Sequence, residues 1–268
     1  MNTVLYAYDC HDSILVAISD YRKIQPWKRG VFGMDATHSG SPHNGKPVVD
    51  PTWRGLYVLG AVGALTMFGF MIVQIIVFVI WPPPSDPVGL LTLFGNNWFL
   101  GLLSMDLLYI VDSVLLICIY LAIHMTLKDT SPSAMLVATV LGVIGVGAYF
   151  SSNTAFEMLS LGRQYVHSTQ PDQQALLVSA AIGMFETYSG TAFDIYYVLN
   201  TLVLFIYFFV MRKARIYGKA IPILSLVAGV LMVVPSSAGM LGMIFSLASL
   251  VPWAVWLVLV SRRLLSFR

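Results

Sequence analysis

The chain alternates long apolar runs with short polar breaks, and the runs are apolar all round rather than on one face. Six of them read as helical spans, at about Leu56–Trp81, Trp98–Met125, Ala134–Met158, Ala181–Met211, Ile221–Pro235 and Leu241–Val260. Crossing a bilayer takes about 20 predominantly apolar helical residues. Barrel strands are about ten residues of alternating polarity, so continuous runs of this length exclude a β-barrel. Pro82-Pro83-Pro84 closes the first span, because proline has no N–H to extend the ladder. Pro222 opens the fifth at a first-turn position that tolerates it. Gly60, Gly63 and Gly69 permit close helix contact in the first. The expected fold is an all-α membrane protein, a bundle of six transmembrane helices.

Three regions follow from the pattern. Residues 1–52 read as a polar cytoplasmic tail, with turn and linker chemistry from Ser39 to Pro47. Its only apolar stretch, Ile14–Ile18, is too short for the core of a signal peptide. Met34 is a second candidate start. Residues 53–264 form the membrane domain, opened by an interfacial anchor of Trp53, Arg54 and Tyr57. Residues 265–268 are a short cytoplasmic end.

Charge then sets an orientation. Six Lys/Arg precede the first span, four lie between the fourth and fifth, and three follow the sixth. With Lys128, that places fourteen of the fifteen on one side if six spans are crossed, leaving only Arg163 opposite. Positive charge favours the cytoplasmic side, so both termini are expected there, in a cell membrane. Only 10% of residues are charged, against about 25% in a soluble domain, and mean hydropathy is +0.79. Net charge says little, because the charges are segregated.

Candidate chemistry rests on five acids in or at the ends of apolar runs: Asp106, Asp112, Glu157, Glu186 and Asp194. None has a basic partner in its own run. An ionised Asp at a bilayer centre costs about 3 kcal/mol on insertion scales, and such acids usually face a bundle interior or watery cavity. At 100° per residue, Asp106, Tyr109, Ser113, Tyr120 and His124 share a stripe, with Asp112 about 120° away. Tyr149, Asn153 and Glu157 share a face of the third span, and Asp194 and Tyr197 one of the fourth. The expected site is therefore an outward-facing polar cavity of Asp106, Tyr109, Tyr149, Asn153, Glu157, Asp194 and Tyr197. Asp112 is expected to be helix-to-helix glue and Glu186 a rim residue. The alternative is that all these groups merely bond neighbouring helices, at roughly 0.6 kcal/mol each.

Other signals are weak. Cys10 and Cys118 do not form a CxxC or zinc spacing. His11, His38 and His43 are not spaced as a helix-borne metal pair. His124 suits a helix C-terminus, and His167 lies in an outer loop. No serine has a nucleophile-elbow setting and no Gly-rich phosphate loop is present. No catalytic residue, cofactor or metal is expected, and no nucleic acid. The segment Leu159–Gln174 is a candidate lid.

The layout resembles an uncharacterised bacterial family of six-helix integral membrane proteins, defined by a domain of unknown function. The carriers are Leu159-Ser160…Tyr165 after the third span and a Gly-containing fourth span beginning near Glu186. A basic turn at Met211–Lys213 and a sixth span containing Trp253 and Trp256 complete them. The resemblance covers about Trp53 to Leu264 and implies a six-helix fold with no activity to transfer. The tail before Trp53 departs from it.

These readings favour binding or translocation of a small solute or proton. The alternative is an accessory or assembly subunit of a larger membrane complex, with a membrane-protein partner or a second copy of the chain. A lipid-modifying enzyme ranks last, for want of a nucleophile or metal set.

Overall fold

The computed structural model describes residues 49–268. Most of the tail read as residues 1–52, including Cys10, its three histidines and Met34, lies outside the described residues. Among those described there is no strand; the chain is all helix, turn and short connection.

A 3-10 turn at Pro51–Trp53 leads into α1 (Arg54–Ile80). Then come α2 (Pro87–Asn96), α3 (Trp98–Ser104), α4 (Leu107–Leu127), α5 (Pro132–Ser152) and α6 (Ala155–His167). The chain ends with α7 (Pro171–Tyr188), α8 (Thr191–Ala214), α9 (Ala220–Met232) and α10 (Gly239–Leu265). Five continuous or near-continuous helical stretches are long and apolar enough to cross a membrane, and α9 is a shorter apolar helix. In lipid every backbone group must be satisfied inside the chain, which is why such runs are helical.

Six helices close a ring. α1 packs on α4, α4 on α5, α5 on α8, α8 on α9, α9 on α10, and α10 returns to α1. Small residues allow the close approaches. On α1 the buried face is Tyr57, Gly60, Ala61, Gly63, Ala64 and Met67, which is helical spacing toward one partner side. A Cβ placed on Gly60 would sit 2.6 Å from the Ala122 Cβ of α4, so a side chain there has no room.

One end of the ring is basic. Trp53 lies under the Lys128 ammonium at 5.8 Å, and Tyr57 packs edge-on against Phe267 at 6.3 Å. Lys213 Nζ donates to the Thr130 carbonyl at 3.4 Å, and Arg263 Nε donates to the Ile216 carbonyl. These contacts bring together the start of α1 and the ends of α4, α8 and α10. Nine of the ten described Lys/Arg sit at this end, and Arg163 on α6 is the exception. Residues 265–268 are not a loose end there, since Phe267 also packs on Tyr217. A large core of Ile123, Leu127, Tyr207, Met211, Trp256 and Leu264, among others, fills the ring on this side.

The opposite end carries a cap of short helices, and here the expected spans change. The runs read as Trp98–Met125, Ala134–Met158 and Ala181–Met211 are not single helices. They break at Met105–Asp106, Asn153–Thr154 and Ser189–Gly190. The stretch between the first two expected spans forms α2, capped by Asp86 Oδ1 accepting from Gly89 N at 2.7 Å. Asn97 caps α3 through Leu100 N at 3.1 Å. α2 packs on α6 and α7 around a second core of Leu90, Leu91, Phe94, Met105, Met158 and Ala181. The segment considered as a lid, Leu159–Gln174, belongs to this layer: Gly162 of α6 lies against Phe94 and Leu91 of α2.

Candidate functional site

The cap and ring enclose a partly open cavity of about 720 Å³. It begins where α3 breaks into α4 and α7 into α8, at Ser104–Asp106 and Tyr188–Ser189. It descends along α4 to Tyr120, fourteen residues beyond Asp106, or about 21 Å at 1.5 Å per residue. At the floor the Tyr120 hydroxyl donates to Asn200 Oδ1. Asn200 Nδ2 in turn donates to the Tyr196 carbonyl at 2.8 Å. Below that the ring core closes the bundle toward the basic end. Most of the lining is apolar and aromatic.

Asp106 is not a helical residue. It takes the left-handed conformation, at φ 63° and ψ 34°, in the break before α4. Asp tolerates this region better than most residues because its short polar side chain can bond locally or across a gap. Its carboxylate accepts from the Tyr188 hydroxyl at the end of α7. The cost of the backbone, of order 1–3 kcal/mol, is thus offset by a bond joining the two breaks that form the cavity mouth.

Three tyrosines make the wall beside it, with Tyr149 packed behind them. Tyr109 and Tyr196 share a hydroxyl–hydroxyl bond at 2.8 Å. Tyr149 packs edge-on against Tyr109 at 5.0 Å and tilted against Tyr196 at 5.3 Å. Tyr197 bonds Ser246 of α10 at 3.0 Å. Edge and offset packing of this kind is the favoured geometry for aromatic pairs.

The seven residues expected to converge fall in four places. Asp106, Tyr109 and Tyr197 line the cavity. Tyr149 and Asn153 stand behind them: Asn153 Nδ2 donates to the Met105 carbonyl at 3.3 Å and the Tyr149 hydroxyl at 3.4 Å. Its Oδ1 caps α6 through Ala155 N at 3.2 Å. Glu157 is exposed on α6, away from the cavity. Asp194 faces a separate shallow groove with Thr191, Ile195, Val198 and Leu199, where Ser237 donates to it.

Asp112 stands where the sequence did not put it. It lines the cavity and is only 6% exposed, and its Oδ1 has no hydrogen-bond partner. The reason is the break at Asp106. Phase counted from Asp106 runs through a left-handed residue and has no meaning beyond it. Counted within α4, Tyr109, Asp112, Leu116 and Tyr120 form one face, and all four line the cavity. Two further unpartnered atoms share the chamber, Ser104 Oγ and Gln74 Oε1. Gln74 Nε2 donates to the Leu103 carbonyl at 3.0 Å. A carbonyl can only accept, so this bond fixes which way the amide points. A lone amide in the otherwise apolar last third of α1 was the available signal for Gln74.

None of the lining residues is Lys, Arg or His. Among the described residues, no group of three or more His, Cys, Asp or Glu could hold a metal ion. His124 is engaged elsewhere, with Nδ1 2.9 Å from Thr139 Oγ1 and 3.1 Å from the Met135 carbonyl.

Among the described residues, fold and site together define an all-α arrangement with five apolar helical stretches of membrane-crossing length and an acidic, aromatic chamber at one end. No protein-family model, curated protein or solved structure matches this chain significantly.

Proposed function

We propose that the chain crosses a cell membrane six times, with α9 as the fifth crossing and both termini cytoplasmic. In this reading it takes a small solute into the chamber from the opposite side. The observation carrying the reading is a cavity of about 720 Å³ with two carboxyl groups and no base in its wall. Ligand chambers typically span about 300–1,000 Å³, mostly apolar with a few convergent polar groups. Intramembrane acids are expensive, and functional roles account for most of them. The six-membered ring supports the sixth crossing, because α9 fills its place between α8 and α10. The basic end supports the orientation. The resemblance noted in the sequence brings no activity, so the chamber alone carries the function. The closed floor favours uptake into a dead-end site, with translocation requiring the Tyr120–Asn200 bond and the core beneath it to part.

Thiol accessibility in intact cells tests this. With Cys10 and Cys118 replaced by serine, Tyr109→Cys and Ser236→Cys should react with a membrane-impermeant maleimide added outside. Tyr207→Cys, fully buried in the ring core, should not. Labelling of the first two only after the cytoplasmic face is opened would reverse the orientation. No labelling from either side would remove the open chamber.

A further inference from the structure

The chamber's polar groups fall into two sets. One set is already paired: Asp106 with Tyr188, Tyr109 with Tyr196, Tyr197 with Ser246. The other is not. Gln74 Oε1, Ser104 Oγ and Asp112 Oδ1 are buried without any hydrogen-bond partner. They come from α1, the end of α3 and α4, and all three residues line the chamber. A buried polar group left without a bond is destabilising, and three in one cavity is a concentration that a ligand would relieve.

The chemistry of the three points one way. A carboxyl oxygen and an amide oxygen accept hydrogen bonds, and a hydroxyl can do either. The set therefore calls for a donor, and the acid favours a positively charged one. The lining also supplies aromatic faces, Tyr109 on the same face of α4 as Asp112 and Tyr196, Tyr197 and Trp253 from α8 and α10, and such faces attract cations. No basic side chain is present to neutralise either acid from within. An anion or a neutral acceptor would meet two carboxyl groups and gain nothing from the unpartnered oxygens.

Resting on the reading of the chamber as a solute site, we infer that its ligand class is a hydrophobic ammonium ion bearing at least one N–H. The ammonium donates to Asp112, with Gln74 and Ser104 as further partners. The apolar body lies along Leu116 and Leu250 toward Trp253. Asp106 stays bonded to Tyr188 and adds negative potential without direct contact.

The test uses two probes of nearly the same shape, dibenzylammonium and dibenzyl ether, on the purified full chain in detergent at pH 7. Saturable binding above a protein-free micelle control is read by equilibrium dialysis. The ammonium should bind at least about tenfold more tightly than the ether, since breaking a buried charge pair commonly costs that much or more. Asp112→Asn, of nearly equal size, should erase the difference. Ammonium and ether binding equally well to the unsubstituted protein overturns the ammonium assignment while leaving a solute chamber standing. Binding of neither probe overturns both. Preference for the ammonium that survives in Asp112→Asn overturns the role of Asp112. The comparison of the two probes needs no variant, so a folding defect in Asp112→Asn cannot blur it.

Discussion

Gly60 on α1 is where a single methyl group should do most damage. An added Cβ would lie 2.6 Å from the Ala122 Cβ, 3.3 Å from Leu264 Cδ1 and 3.4 Å from the Cys118 carbonyl oxygen. Carbon atoms at rest stand about 3.5–4.0 Å apart, so α1 and α4 must separate by about 1 Å. The Leu264 side chain can rotate away, but the Ala122 Cβ is fixed to its backbone and cannot. Overpacking of this kind costs about 1–3 kcal/mol. Alanine's better helix propensity returns at most about 1 kcal/mol, so Gly60→Ala should be destabilising on balance. The informative variant is the pair. Ala122→Gly removes the atom that clashes, so Gly60→Ala and Ala122→Gly together should be more stable than the sum of the single effects implies. The expected coupling is about 1–2 kcal/mol, within the range found for residues in contact. Unfolding of the purified protein in detergent, followed by tryptophan fluorescence, measures all three variants against the parent. Purely additive effects would refute the register of α1 on α4, and with it the placing of Gln74 opposite Leu103.

Three other outcomes are expected. Tyr188→Phe leaves the Asp106 carboxylate without its partner in a left-handed break, and should lower stability by about 1–3 kcal/mol, read by the same unfolding measurement. Trp256→Phe removes the indole N–H that donates to Ser225 Oγ at 2.8 Å. A loss of about 1–2 kcal/mol follows for one bond and a little volume, whereas a neutral result would mean that α9 and α10 are not joined there. Asp50, at the foot of α1, has its carboxyl held below the usual range by bonds from Thr52, whose backbone N–H donates at 2.9 Å. A depressed carboxylate contributes order above its unfolded value of 3.8 and loses it as pH falls through the lower folded value. Amide exchange at Thr52 should therefore quicken below about pH 4 relative to amides deeper in α1, and an unchanged ratio would count against the cap.

The apolar runs and the segregation of charge were legible because both are properties of long stretches, and local error averages out. The breaks were not, because each depends on one or two residues. Ser189-Gly190 carries a turn signal that an apolar run overshadowed. At Asn153, the side chain that caps α6 had been assigned to a continuous helix face. Met105-Asp106 has neither glycine nor proline, and only the tolerance of Asp for positive φ marks it. That one residue accounts for the exchange of roles between the acids. Asp106 reaches the chamber from a break, while Asp112, off the stripe only if helical phase is carried through that break, stands inside. Helix α2 had a readable start in Asp86-Pro87, an N-cap followed by proline at the first position, and was hidden only by lying between two expected spans.

The ring closes between its first and last helices, and this orders the events of synthesis. Gly60 of α1 faces both Ala122 and Leu264, so part of its packing surface waits for the last helix to emerge. From Arg54 to Gly239 lie 185 residues. At about 5–20 residues per second the delay is about 10 to 40 s, during which α1 stands with one flank unmatched. The chamber does not exist until α10 arrives, since Ser246 and Trp253 form part of its wall. A chain that stops short of the last helix thus leaves an open arc, with the chamber unwalled on that side. Such an arc is a ready substrate for membrane quality control, and the last helix acts as the latch that takes the chain out of its reach.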